Sequence, residues 1–455
     1  MEVIRQEQIW FRDHLVRQPK QNIKYRLSHF VVKQVTDDGI LLYNNVTGCL
    51  LFFKSEKDIK ENFIFLVEYW FYLPVDSFNE CDWVDFLRTK RIDDASHQGI
   101  NSYVIMTTLD CNARCFYCYE KGTPRISMTE KNALVTSEYI QRHSTNKVKL
   151  TWFGGEPLLN TVVMDLICQK LNDFGISYFS HIITNGLLFT RNIVNKAINV
   201  WKLKRVQITL DGTEQVYLRA KAYVNSQGSE FQIVLDNIEA LLNSKIAVNI
   251  RLNQDAYNTE DLLELLAILH NRLGTNPYLT IYNHLLFNFE GDYTQEQIGC
   301  YYKLKNKLTV LEYIKGYKLP NGMTDHQCMA DSSHSLVITP SGIIGKCEHF
   351  TEEKMIGSIF TEDIDSSVLK MWNERYDKQK ECNLCPLYPT CIRIKMCPNQ
   401  KKHCSDFYRK DRMESLNIAF DELLYTGLTR CKKNLIIINF GNIEYDAKIR
   451  PLIEI

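Results

Sequence analysis

The sequence predicts an α/β chain built on a parallel sheet closed or nearly closed into a barrel. A small antiparallel α+β unit precedes the barrel, and a cysteine-rich segment held together by metal follows it. Three observations predict this. From Tyr103 to about residue 320, short β-rich runs alternate with helix-length amphipathic stretches, the pattern of a parallel sheet covered by helices. Before Tyr103 the runs alternate apolar and polar residues around turn signals. After residue 320, grouped cysteines take the place of long periodic stretches. At 455 residues the chain is about three times the ~150-residue prior for one domain, enough for two or three cores.

In the first unit, residues 1–95, HFVVKQV, GILLYN and GCLLFFK surround the turn signals DDG and NNVTG and predict a small three-stranded antiparallel sheet. Helical patterning follows in KDIKENFIFLVEYWF and NECDWVDFLRTKR. Nothing here carries catalytic chemistry.

The second unit, residues 96–320, has six strand candidates: YVIMTTL, VKLTWF, YFSHIIT, RVQITL, IAVNIRL and YLTIYNHLLF. Between them lie helix candidates such as LNTVVMDLICQKLNDF and EDLLELLAILHNRL. The unusual residues sit at strand ends. Cys111, Cys115 and Cys118 follow the first strand, Gly154-Gly155-Glu156-Pro157 the second and Thr184-Asn185-Gly186 the third. Thr209-Leu210-Asp211-Gly212 closes the fourth, and Arg251 and Asn253 lie at the end of the fifth. Parallel β/α folds gather such positions on one rim, where ligands bind, so these residues predict a single site.

Charge and composition exclude several classes. With 54 Lys+Arg against 54 Asp+Glu, no global field drives the chain toward nucleic acid or an anionic membrane. No apolar run reaches the roughly 18 residues a spanning helix needs, and MEVIRQEQIWFRDH is too charged for a signal peptide, so a cytoplasmic location is expected. In a reducing compartment, 15 Cys point to metal or catalysis rather than disulfides. Cys49, Cys81, Cys168, Cys300 and Cys431 are isolated and read as small buried hydrophobes.

Three thiols at Cys111, Cys115 and Cys118 fall one short of the four that a 4Fe-4S cluster takes, which leaves one iron open, as a catalytic site requires. From the residues alone, a zinc knuckle completed by His143 or His181 and three reduced core thiols remain alternatives.

CNARCFYC resembles the CxxxCxxC signature of radical SAM enzymes, with Tyr117 as the aromatic before the third Cys, and GGEP, TNG and TLDG follow in the family's order. The resemblance implies a partial (β/α)6 TIM-like barrel in which Cys111, Cys115 and Cys118 ligate a 4Fe-4S cluster. In that family the open iron chelates S-adenosylmethionine, whose reductive cleavage yields a 5′-deoxyadenosyl radical that abstracts a substrate hydrogen. Carried over, Gly154, Gly155 and Glu156 receive the amino end of the cofactor, Asn185 lies near its methionine part or ribose, and Thr209 near the ribose. Arg219 or Lys221, with Arg251, are candidates for its carboxylate, a rim ion pair being the plainer role for Arg251. An electron donor such as flavodoxin or ferredoxin is implied.

The third unit, residues 321–455, resembles the family's SPASM extension, which holds two auxiliary 4Fe-4S clusters and makes this a small iron-sulfur domain. By that resemblance Cys382, Cys385, Cys391 and Cys404 hold one cluster and Cys328, Cys347 and Cys397 the other. The spacing before Cys397 is wider than the usual three, and one auxiliary iron lacks a cysteine, with His326 and His349 as candidates to fill it. Two structural zinc sites are the alternative. Glu348, beside Cys347, falls where sulfatase-maturing members of the family have an Asp proposed as base.

The first unit resembles the winged-helix recognition element with which peptide-modifying members grip the leader of a ribosomally made precursor, and an edge strand there would accept it by β-augmentation. The expected activity is therefore maturation of such a peptide by a crosslink (thioether, carbon-carbon or carbon-oxygen) or a related modification, with no nucleic-acid or membrane partner. Sulfatase maturation and a non-catalytic, metal-stabilised binding protein are the alternatives.

Overall fold

The computed structural model describes residues 1–6, 10–11, 22–75, 79–95, 99–255, 257–286, 293–314, 319–326, 328–349, 354–397 and 404–422. Cys431 lies outside the described residues.

The N-terminal strands are β1 (Glu2–Arg5), β2 (Tyr25–Leu27), β3 (Val31–Thr36), β4 (Gly39–Asn44), β5 (Leu50–Phe53) and β6 (Tyr72–Pro74). An antiparallel sheet runs in the order β1-β5-β4-β3, and β2 pairs with β6. The three expected strands are present. β1 adds a fourth that four residues of chain were too short to announce. KDIKENFIFLVEYWF forms two short helices, Glu56–Glu61 and Phe63–Glu68, because the Asn62 amide turns back onto the Asp58 and Ile59 carbonyls. NECDWVDFLRTKR lies in the helix Glu80–Ala95.

The second unit is a parallel sheet of β7 (Ile100–Thr108), β8 (Ser144–Gly154), β9 (Ser177–Thr184), β10 (Leu203–Leu210), β11 (Ala247–Gln254) and β12 (Leu279–Leu285), adjacent in chain order. Alternation along parallel strands sends successive side chains to opposite faces. Val148, Leu150, Trp152, Val206, Ile208, Val248 and Ile250 face outward, where they are buried with Ile167, Val234, Leu241 and Leu265 of the covering helices. The partial barrel predicted from the sequence is the observed core.

The third unit begins inside that sheet. β13 (Ser335–Ile338) pairs in parallel with β7, and β14 (Ile343–Gly345) and β15 (Gly357–Ser358) extend the edge in antiparallel fashion. Leu336, Ile338 and Ile344 join the barrel's apolar core, so this segment draws stability from the barrel as well as from any metal it holds.

The N-terminal unit packs against the C-terminal thiol segment. Phe30, Val46, Trp70, Trp83 and Leu87 cluster with Met323 and Tyr388, while Leu41, Tyr43, Leu50 and Phe52 cluster with Leu319, Leu387, Leu416 and Ala419. Backbone carbonyls at this junction are capped by arginines. Arg5 donates to the Gly48, Leu319 and Pro320 carbonyls, and buried Arg88 donates to those of Thr324, Tyr388 and Pro389. Arg88→Ala strips these carbonyls of a buried donor. It is expected to lower the unfolding free energy by about 1–3 kcal/mol, measured by chemical denaturation, whereas Arg191→Ala on an exposed helix start leaves it unchanged.

Candidate active site

The loop from Cys111 to Cys118 leaves the end of β7 and is held by the ends of three neighbouring strands. From β8, the Gly155 and Glu156 amides donate to the Thr108 and Asp110 carbonyls at 3.0 and 2.8 Å. The approach is too close for a side chain: a Cβ at Gly154 would stand 2.0 Å from the Thr108 oxygen, and one at Gly155 2.2 Å from that of Asp110. Gly154 also has φ +117°, a conformation that costs glycine little. From β9, Asn185 Nδ2 donates to Asn112 Oδ1 at 2.7 Å. After β10, the Val224 amide donates to the Asn112 carbonyl and the Arg114 amide to that of Lys221, each at 2.8 Å.

Glu156 is fully buried and its carboxylate is already engaged. It accepts from Thr184 Oγ1 (2.8 and 2.9 Å), the Asn185 amide (2.9 Å) and the Leu158 amide (3.1 Å). It thus ties the β8 and β9 ends together. Burial raises its pKa from the ordinary carboxylate value to about 7, against the lowering effect of those donors.

Lys221 is also buried, which alone would lower its pKa, but Asp211, Tyr117 and Cys115 together raise it well above the ordinary lysine value. Its ammonium lies 3.0 Å from Asp211 Oδ2 and donates to Thr209 Oγ1 at 2.6 Å and to the Tyr117 hydroxyl at 3.0 Å. Two expected cofactor contacts, Thr209 and Lys221, are therefore committed to each other, and Lys221 positions Tyr117 beside Cys118. Arg219 is exposed on a neighbouring cleft of about 200 Å³ lined also by Phe116, Tyr117, Asp255 and Tyr257. Arg251 Nη2 donates to His284 Nδ1 at 3.1 Å, and Arg251 forms no ion pair among the described residues, so the rim ion pair expected of it is absent there.

The structure gathers the thiols into three neighbourhoods. Burial, reinforced by Glu156, Cys115 and Cys118, pushes Cys111 up to about 12, and burial with Cys115 nearby raises Cys118. Burial, then Glu348, Cys328 and Cys397, pushes Cys347 up to about 12, while Cys328 is raised by burial, Asp331 and Cys397. Cys385 is raised by burial and by neighbouring Cys382 and Cys404, and Cys391 by burial, Cys404 and Cys385. Such thiols reach the thiolate form through the positive charge of a bound metal. Among the described residues no three His, Cys, Asp or Glu side chains are arranged to hold a single ion; a four-iron cube stands its ligands further apart. The pinned loop, its partly exposed cysteines and the backbone packed against it fit a cluster with one open position.

Glu348 is half-buried next to Cys347. The adjacent His349 stacks on Tyr119 with ring centroids 3.8 Å apart, which brings the third unit's thiols beside the Cys118 loop. His326 instead faces Asp325 at 3.2 Å. Of the isolated cysteines, Cys49, Cys81 and Cys168 are buried as expected, whereas Cys300 is only half-buried. Asn112, Thr184 and Asp211 hold the site together. Thr184 and Asp211 lie in the Thr-Asn-Gly and Thr-Leu-Asp-Gly rim motifs but were given no role of their own from the sequence, and Asn112 was not singled out at all.

Residues 105–269 match the profile of the Radical SAM superfamily. They form a radical SAM domain. Among curated proteins, a GTP 3′,8-cyclase of Clostridium perfringens is 26% identical over 306 residues, covering 60% of this chain and 90% of the relative. Among solved structures, anSMEcpe with bound AdoMet superposes with a TM-score of 0.56 at 13% identity, covering 72% of this chain and 96% of that one. Streptococcus suis SuiB bound to precursor peptide SuiA superposes at 0.50 with 11% identity over 84% and 99% of the two chains. Both structural likenesses are likenesses of fold. No helix among the described residues is long and apolar enough to cross a membrane.

The folded protein keeps the Glu156 proton up to about pH 7, whereas an unfolded glutamate releases it near ~4.3, so stability falls as pH rises between those values. Glu156→Gln cannot ionise. In the metal-free protein it is expected to flatten this decline, worth roughly 3 kcal/mol across the interval, when unfolding is measured from pH 4.5 to 8.

Proposed function

We propose that this protein matures a ribosomally made precursor peptide. The observation that carries the reading is the free edge of β3, on a unit whose core is shared with the C-terminal thiol segment. No strand pairs with that edge among the described residues, and Val35 on it is 68% exposed. The Thr36–Gly39 pair closes a two-residue hairpin, so by antiparallel alternation Lys33 and Val35 turn their backbone groups away from β4. An extended leader would add there as a further strand. The fold likeness to SuiB bound to its precursor peptide points the same way.

Bound S-adenosylmethionine, cleaved at a reduced 4Fe-4S cluster, supplies a 5′-deoxyadenosyl radical that takes a hydrogen atom from the substrate. Cys111, Cys115 and Cys118 would hold that cluster, and the Gly154–Glu156 backbone, Asn185 and Arg251 would contact the cofactor. Cys382, Cys385, Cys391 and Cys404, and separately Cys328, Cys347 and Cys397, would hold two auxiliary clusters able to accept an electron, and a flavodoxin or ferredoxin would be the electron donor. Glu348, half-buried next to Cys347, would take the proton released when the substrate is oxidised.

The sequence likeness to GTP 3′,8-cyclase favours a second reading, a nucleotide substrate. Anaerobic incubation with dithionite and S-adenosylmethionine separates the two. A candidate precursor should lose two hydrogens by mass spectrometry if a crosslink forms, and GTP should be recovered unchanged; consumed GTP with unmodified peptide overturns the peptide reading.

Cys115→Ala is expected to abolish release of 5′-deoxyadenosine while iron analysis still finds the metal bound elsewhere, since three thiolates are the open cluster's anchors. Val35→Pro removes an outward N–H at an edge position that tolerates proline. It is expected to raise the apparent KM for full-length precursor by roughly tenfold and to leave turnover of a leaderless core peptide unchanged. Equal losses on the two substrates would make the edge a structural element only.

A further inference from the structure

The six barrel strands contain Lys147, Lys149, Lys204, Arg205 and Arg251 and not one Asp or Glu. Outer-face positions of these strands are taken up by the apolar core, so strand alternation places Lys147, Lys149, Arg205 and Arg251 on the inner face. Pairing sets their depth. Arg251 is level with Thr209 near the rim, whereas Arg205 stands beside His181, four residues earlier on β10 and ~13 Å further down. Lys149 lies one layer deeper again, opposite Phe179.

Barrels usually fill this space with branched apolar side chains. Here Lys149, His181, Gln207, Arg251 and Tyr282 are all partly exposed, while the outer-face Val148, Val206 and Val248 are fully buried. The inner face is therefore partly wetted along β8 to β12, whereas Val104, Met106 and Val337 on β7 and β13 form a buried apolar cluster. Neither Lys149 nor Arg205 makes an ion pair or side-chain hydrogen bond among the described residues, in contrast to Lys221 at the rim, which is paired with Asp211. Burial and then Arg205 lower the Lys149 pKa, and burial, Arg205 and Lys149 bring His181 down to about 4, so uncompensated positive charge is concentrated here. Solvent-reaching cations without a partner among the described residues, on strands that carry no carboxylate, are suited to receive an anion.

We propose that Lys149 and Arg205 bind a carboxylate of the substrate peptide, an acidic side chain about four residues along an extended chain from the residue that reacts at the rim. This rests on the peptide reading above, and a phosphate-bearing substrate would use the same cations.

The test uses the anaerobically reconstituted enzyme with S-adenosylmethionine and three probes: fluorescein-labelled pentaglutamate, its pentaglutamine counterpart and inorganic tripolyphosphate. The expected result is binding of pentaglutamate in preference to pentaglutamine, weakened by salt, and reduced roughly tenfold or more in Lys149→Gln/Arg205→Gln. Lys204→Gln, which removes the neighbouring exposed cation on the opposite face of β10, should bind as wild type does. Unchanged melting temperature and unchanged 5′-deoxyadenosine release without peptide show that the double variant is folded and loaded. Tripolyphosphate bound through the same residues with pentaglutamate ignored would keep the anion site and overturn the peptide reading. No anion bound, or equal losses in the double variant and Lys204→Gln, would overturn the anion site itself.

Discussion

The buried Lys221–Asp211 pair is the interaction on which the site depends. Both side chains are almost wholly removed from solvent, and their ionised forms persist there because each compensates the other. Asp211 ends β10 and Lys221 ends the helix Glu214–Lys221, so the pair fixes how the helix meets the rim. The same ammonium holds Thr209 and Tyr117, and the Lys221 carbonyl takes the Arg114 amide. One cation thereby joins the β8 and β9 contacts in positioning the loop that carries the three cysteines.

A second dependency links the ends of the chain. The N-terminal sheet does not stand apart from the chemistry: its apolar faces are completed by Leu319, Leu387, Tyr388 and Leu416, and the Cys81 thiol reaches the Cys382 carbonyl at 3.5 Å. The edge of β3 and the thiols of the third unit belong to a shared core. The third unit in turn enters the barrel sheet through β13 and brings His349 onto Tyr119. The β3 edge, the thiols of the third unit and the Cys111–Cys118 loop are thus coupled by packing rather than by linkers.

Much of the site could be read before any coordinates. The parallel strands are recognisable because strands covered by helices need long apolar runs, and the rim residues because Cys-x3-Cys-x2-Cys, Gly-Gly-Glu-Pro and Thr-Asn-Gly interrupt those runs at their C-terminal ends. What could not be read were choices among equivalent polar partners. Glu156 was expected, with Gly154 and Gly155, to receive the amino end of the cofactor; its carboxylate is spent on Thr184 and Asn185, leaving the backbone of this turn as the surface beside the cysteines. Asn112 looks like any loop asparagine, and only the approach of Asn185 and Val224 makes it an anchor. β1 and β13 were missed as sheet members because four residues carry too little periodicity to display a partner.

The sequence by itself determined which residues are chemically able to act: ten grouped thiols, a glycine-rich turn that permits close backbone approach, and six strands with cations and no acids. Local pattern suffices for these because side-chain chemistry and strand period are properties of neighbouring residues. The tertiary structure alone decided which of those groups are already satisfied and which are left facing open space. Lys221, Lys149 and Arg205 are alike as isolated cations, yet the first is buried against Asp211, while the other two reach solvent with no ion pair among the described residues. That difference is set by burial and by the arrival of partners from distant parts of the chain, because the strength of a charge interaction depends on the dielectric and geometry around it.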